Sequence, residues 1–174
     1  MARSAVADQA GAMTLLRTAV LAGATLATGL MAGLFFAYSC SVMPGLAGTD
    51  DRSFVGTMQW INRRILNGWF LAAFLGAVLL PALAVALHLT VGGRVLAWAG
   101  AALAFYLATL MITMRCNVPL NDQLDAAGPV DRIADLAAVR ERFEVTWVRW
   151  NLARTVTNVA AFACLIGALL TRRA

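Results

Sequence analysis

Arg140, Glu144, Trp147, Asn151, Arg154 and Asn158 recur at steps of four, three, four, three and four, so a helix carries all six on one face. From Trp150 onward the same stretch is apolar enough to lie in lipid. Amides and a guanidinium are costly there unless they face a protein interior, and intramembrane polar groups are read as functional by default. The chain has four apolar stretches, none holding an Asp or Glu, so an inward-facing Arg154 needs backbone carbonyls, a loop acid such as Glu144, or an anionic ligand. The chemistry open to this set is the stabilisation of an anion. A plainer alternative is that Arg154, about one turn inside the span, snorkels to the interface. Asn151 and Asn158 share its face and cannot.

The elements that must position these residues follow from composition. The 174 residues are 61% hydrophobic and 13% charged, with a mean hydropathy of +0.75, which is too apolar for a soluble single-core domain. The apolar stretches 18–43, 68–89, 95–114 and 150–170 each approach the roughly 20 residues needed to cross about 30 Å of hydrocarbon. The expectation is an all-α, four-transmembrane-helix bundle forming a single membrane domain over 1–174, with the lipid bilayer as its first partner. Helix one should stop at Pro44-Gly45, and Thr49 or Asp50 can cap a short amphipathic helix over 53–66 lying at the interface, with Phe54, Met58, Ile61 and Ile65 on one side. The five-residue link 90–94 forces helices two and three into an antiparallel hairpin. Pro119 biases Val118 to an extended backbone and should end helix three near the membrane surface. Asp131 can then cap a fourth helix of roughly 40 residues, about 60 Å long, extending out of the membrane.

A second polar group sits at the same membrane face as the start of helix four. Asn117 and Asn121 flank Pro119, and Gln59, Asn62 and Asn67 come from the other loop on that side. With Arg140, Arg154 and the aromatics Trp60, Trp69, Phe143, Trp147 and Trp150 they define a candidate pocket for a flat aromatic small molecule with polar edges. Each has a bland reading: asparagines beside a proline satisfy irregular backbone, tryptophans form an interfacial belt, and Glu144 pairs with Arg140 four residues earlier. His88, the sole histidine, falls at the opposite face, in an interfacial or core role. Cys40 and Cys116 end helices one and three on one side, where they either pair in an oxidising compartment or serve as small buried hydrophobes. With one histidine and scattered cysteines no metal site is expected, and no nucleotide loop or catalytic triad is present.

All fourteen basic residues are arginine and the formal charge is +5. They lie at helix ends and in loops rather than in a basic patch with interleaved aromatics, which argues against nucleic acid. Arg3, Arg17, Arg94, Arg172 and Arg173 share one side, against eight arginines mixed with eight acids on the other; positive-inside counting leaves orientation open, leaning to cytoplasmic termini. The first apolar run is too long for a signal-peptide core, so an uncleaved span is expected. Small residues four apart, as at Gly29 and Gly33, fit a tight single-chain bundle, with a homo-oligomer as the lesser alternative.

The segment Phe54 to Phe74, the run Asn117-Val-Pro-Leu-Asn121, and Arg140-Glu-Arg-Phe-Glu-Val-Thr-Trp-Val-Arg-Trp-Asn-Leu-Ala-Arg154 resemble the anthrone oxygenase-like family of small bacterial and fungal membrane proteins, most without an assigned function. The resemblance runs from about Ala19 to Leu170. It implies four membrane helices, a bacterial plasma membrane location here, and, in fungal members, oxidation of an anthrone to an anthraquinone by molecular oxygen with no metal or flavin cofactor. The family's motifs fall here on Gln59, Asn62, Asn67, Asn117, Pro119, Asn121, Arg140, Phe143, Trp147, Asn151 and Arg154. Gly68 stands where members often carry proline. On this reading Arg154 and Asn151, with Asn117, orient an oxyanion, and Glu144 is the candidate base.

Overall fold

Neither Pro44 nor Pro119 ends its helix. The first helix, α1 (Ala2–Ala37), widens through a π turn at Tyr38–Val42 and continues as α2 (Met43–Ala47). In the same way α5 (Gly93–Ile112) widens at Thr113–Asn117 and continues as α6 (Val118–Ala126). Each proline stands two residues after its π turn, where the widened backbone makes room for its ring in a helix that continues. Val118 is therefore helical, at φ −61° and ψ −49°, and not extended as its position before proline predicts. The computed structural model describes residues 2–171, with side chains from Asp8 on; the side chain of Arg3 and the whole of Arg172 and Arg173, which enter the charge count, lie outside what is described.

Four further elements complete the chain: α3 (Asp51–Arg64), α4 (Gly68–His88), a 3₁₀ turn at Val130–Arg132, and α7 (Leu136–Thr171). Asp50 caps α3 by accepting from Ser53 N–H at 3.0 Å, as expected of one of the two cap candidates. The cap of the last helix is Asp135, which accepts from Ala138 N–H at 2.9 Å; Asp131 lies in the 3₁₀ turn and pairs with Arg52. Helix α7 is accordingly 36 residues long, with Ile133 outside it.

Four helical segments are long and apolar enough to cross a membrane: Asp8–Ala47, Gly68–His88, Gly93–Ala126 and Leu136–Thr171. They form an all-α bundle that alternates up and down, in which α1 packs on α4 and α7 while α5 packs on α4 and α7, closing a ring. Small side chains let the backbones approach: Ala24, Ala84, Ala99, Ala102 and Ala168 are fully or nearly fully buried in one layer. Gly29 is needed for the contact of α1 with α7, since a Cβ there would lie 2.8 Å from the ring of Phe162.

A second core lies beyond the bundle. Met43, Phe54, Val55, Met58, Leu124, Phe143 and Trp147 bury one another where α2, α3 and α6 meet the first turns of α7. The amphipathic helix α3 thus lays its apolar face on protein and not on lipid, because α6 and the extension of α7 supply a hydrophobic partner. Arg140 fastens this cap. Its Nε donates to Glu144 at 2.6 Å, Nη1 to Thr49 O and Asp51, and Nη2 to Ala47 O, while its guanidinium lies 4.5 Å from the Phe54 ring centre.

Candidate functional site

Arg154 reaches its place because α7 crosses from cap into bundle with its polar stripe turned inward. Phe143, Trp147, Asn151, Arg154 and Asn158 are all buried. Arg154 is 8% exposed, so it does not snorkel. Its Nε donates to Asn151 Oδ1 at 3.0 Å, a bond that orients the guanidinium along its own helix. The guanidinium carbon lies over two rings, 4.3 Å from the Phe35 centroid and 5.0 Å from that of Trp147. Neither Nη1 nor Nη2 has an acceptor, and no carboxylate pairs with Arg154, among the described residues.

The guanidinium forms part of the wall of a cavity of about 340 Å³. Five aromatic side chains stand in the wall among aliphatic ones: Phe35 and Tyr38 from α1 and its π turn, Phe70 and Phe74 from α4, and Trp147 from α7. The hydroxyl of the buried Tyr106 donates to Phe74 O at 3.0 Å and ties α5 to α4. Phe70 and Leu71 of α4 and Thr113 and Met114 of the second π turn also line the cavity. Leu66, Leu71 and Met114 are also exposed, so the cavity opens at the outer surface of the bundle. Asn62 and Asn121 add polar edges. Asn62 Nδ2 is buried with no partner among the described residues, and Asn121 Oδ1 accepts from Trp147 Nε1 at 2.8 Å, which fixes the indole beside Arg154.

The structure divides the sequence-derived residues. Arg154, Trp147, Asn62 and Asn121 line the cavity. Asn151 and Asn117 stand behind it: Asn151 Nδ2 donates to Phe35 O at 3.2 Å and to Ser39 Oγ at 2.8 Å, and Asn117 Nδ2 donates to Trp147 O at 3.3 Å. These two amides position the lining by joining α1 and the second π turn to α7. Gln59 is buried in the cap and donates to Leu124 O and Gly128 O, holding the end of α6. Asn67 caps α4 through the amides of Trp69 and Phe70. Phe143 packs in the cap core, and Arg140 and Glu144 bind each other outside the lining. Trp60, Trp69 and Trp150 are exposed and take no part in the lining, contrary to the expectation from sequence. All three cysteines are free thiols; Cys40 is exposed, not a buried small hydrophobe, and both Cys40 and Cys116 lie inside continuous helices at the π turns. No cluster of three metal-ligating side chains occurs among the described residues.

Phe35, Tyr38, Phe70, Phe74 and Thr113 belong to the lining and do not stand out in the sequence as site residues. For Tyr38 a signal existed: it is one of two tyrosines in the chain and falls within an apolar run. The others are ordinary residues of apolar helices, placed at the cavity only by packing.

Asn158 continues the stripe one step further and is different in kind. Both its side-chain polar atoms and Thr28 Oγ1 are buried without partners among the described residues. In the antiparallel register that joins Asn151 to Phe35, Thr28 falls opposite Asn158, two turns along.

A family model described as anthrone oxygenase matches residues 65–164, a stretch that includes Phe70, Phe74, Thr113, Asn121, Trp147 and Arg154 of the lining and leaves out Phe35, Tyr38 and Asn62. No curated protein and no solved structure matches the chain.

Proposed function

The chain belongs to the anthrone oxygenase family, whose model covers more than half of it, and on that premise we propose that it is a membrane oxidoreductase that uses molecular oxygen on a hydrophobic phenolic or anthrone-like substrate held in the cavity beside Arg154. One observation carries the proposal: a buried guanidinium with two unengaged nitrogens and no carboxylate forms part of the wall of an aromatic cavity. A buried cation without a counterion favours an anion arriving in the cavity, and its attraction is strong where water is excluded.

An anthrone supplies that anion when it ionises to its enolate. Arg154 at the developing oxyanion lowers the cost of ionisation, and its contacts with the Phe35 and Trp147 rings and the bond to Asn151 hold it in place. The enolate carbon reacts with oxygen; its two hydrogens are lost, one oxygen atom becomes the new carbonyl and the other leaves in water. Tyr38 is the only phenol on the lining and is the proposed relay for the proton. Glu144 has no place in this scheme, because Arg140 engages it outside the cavity.

A second reading, a binding site without turnover, draws on the lack of any carboxylate or imidazole base on the lining. Oxygen uptake by the purified protein with an anthrone separates the two. Uptake above the spontaneous rate, lost in Arg154→Ala, is the expected result. No uptake, with quenching of Trp147 fluorescence by the same compound, leaves the binding reading; uptake unchanged in Arg154→Ala removes the site.

A further inference from the structure

At the end of the bundle away from this cavity, Arg17, His88, Gly93, Arg94 and Val95 line a second cleft of about 360 Å³. Three independent features converge there. The first is an uncapped helix start: Gly92 and Gly93 turn the chain with φ of +68° and +80°, no side chain caps α5, and the amides of Gly93, Arg94 and Val95 are left for an outside acceptor. The second is a pair of guanidinium groups. Arg17 donates from Nε to Leu87 O at 2.9 Å, which holds it at the end of α4 and leaves Nη1 and Nη2 unengaged, and Arg94 has no ion-pair partner among the described residues. The third is His88, only 4% exposed, whose Nδ1 is turned back on Ala84 O at 2.8 Å. A carbonyl only accepts, so Nδ1 carries a hydrogen and Nε2, with no partner among the described residues, is the nitrogen left for a ligand.

The charge distribution points the same way. Eight of the nine acids belong to the loops and helix ends on the cavity side, where eight arginines balance them, and Asp8 is the sole acid on the side of this cleft. Exposed Leu15, Leu16, Leu89 and Val91 surround the cleft with apolar surface at the end of the spans.

We propose that this cleft is an anion site for a phosphate group, placed to take the headgroup of an anionic phospholipid whose acyl chains lie along the exposed leucines, with free phosphate as the other source of the same chemistry. Arg17 and Arg94 supply the charge and the first amides of α5 bind phosphate oxygens, with the Nε2 edge of His88 beside them.

The test uses the full chain in a non-ionic detergent, with retained lipid counted by native mass spectrometry after adding phosphatidylglycerol or phosphatidylcholine. Preferential retention of phosphatidylglycerol, reduced roughly fivefold in Arg94→Gln and further in Arg17→Gln/Arg94→Gln, is expected, with Arg149→Gln at the other end retaining as the parent does. Arg94 has no bond to the rest of the described fold, so its single variant stays informative if the double variant unfolds. Displacement of the lipid by millimolar inorganic phosphate would support the site and identify free phosphate as a sufficient ligand; no displacement would support the intact lipid. Equal retention of the two lipids, or retention of phosphatidylglycerol unchanged in Arg94→Gln, would overturn the proposal.

Discussion

Arg140 and Arg154 stand about four turns apart on α7, and the protein uses them in opposite ways. Arg140 engages all three of its nitrogens, with Glu144, Asp51 and two carbonyls that end the preceding segment. Arg154 engages one, and the two it leaves free belong to a group on the wall of a cavity. The same side chain on the same helix face is a fastener where its neighbours are loops with acids and open carbonyls. It keeps two unengaged nitrogens where its neighbours are aromatic rings. Sequence spacing cannot separate the two roles, because the separation depends on what the other helices bring opposite each turn.

The comparison can be broken most directly by activity. Arg154→Ala is expected to lower anthrone-dependent oxygen uptake about 100-fold or more, as removal of an oxyanion donor does, while Arg140→Ala lowers it only in proportion to lost folded protein. Equal losses per folded molecule in the two variants would erase the distinction. Stability should then reverse the order. Arg140→Met leaves the carbonyls of Thr49 and Ala47 without their donor and should cost about 1–3 kcal/mol, whereas Arg154→Met removes an uncompensated buried charge and should be neutral or stabilise by roughly 1 kcal/mol. Thermal melting in detergent decides it; a large loss in Arg154→Met would mean that the fold itself needs the charge.

Asn158 extends the contrast into the membrane. Because neither of its polar atoms has a partner among the described residues, Asn158→Leu is expected to gain about 1 kcal/mol, and Asn151→Leu, which removes bonds to Phe35, Ser39 and Arg154, to lose about as much. A loss in Asn158→Leu would show that an ordered water satisfies the amide.

The smallest effect belongs to the Arg140 end. Hydrogen bonds from the hydroxyl and N–H of Ser53 hold the Asp50 carboxyl below the ordinary aspartate range, so its cap of α3 is fully present above about pH 4 and is lost as pH falls through the lowered value. Asp50→Asn, which still accepts a hydrogen bond, should flatten this part of the melting profile between neutral and acid pH. Identical acid slopes in the two proteins would remove Asp50 from the account.

What was readable in the residues was local and periodic. Four apolar runs imply four spans, the step pattern of α7 puts its polar residues on one face, and Asp50 before an amphipathic segment marks a cap. Pro44 and Pro119 misled, since a proline reads as a stop unless the preceding turn widens, and widening depends on contacts that hold the helix straight. The fate of each amide was equally hidden. Gln59, Asn67, Asn117 and Asn151 are the same kinds of side chain as Asn62 and Asn121, yet the first four serve the fold and the last two border the cavity.

The sequence by itself determined the membrane helices, the family and the buried stripe, because hydropathy and helical period depend only on residue order. Tertiary structure alone decided that Phe35 and Trp147 meet Arg154, that Tyr38 shares its cavity, and that no acid among the described residues pairs with it. Those facts rest on which helices meet at one depth, and a guanidinium becomes structural or reactive according to the acceptors that packing brings within hydrogen-bond reach.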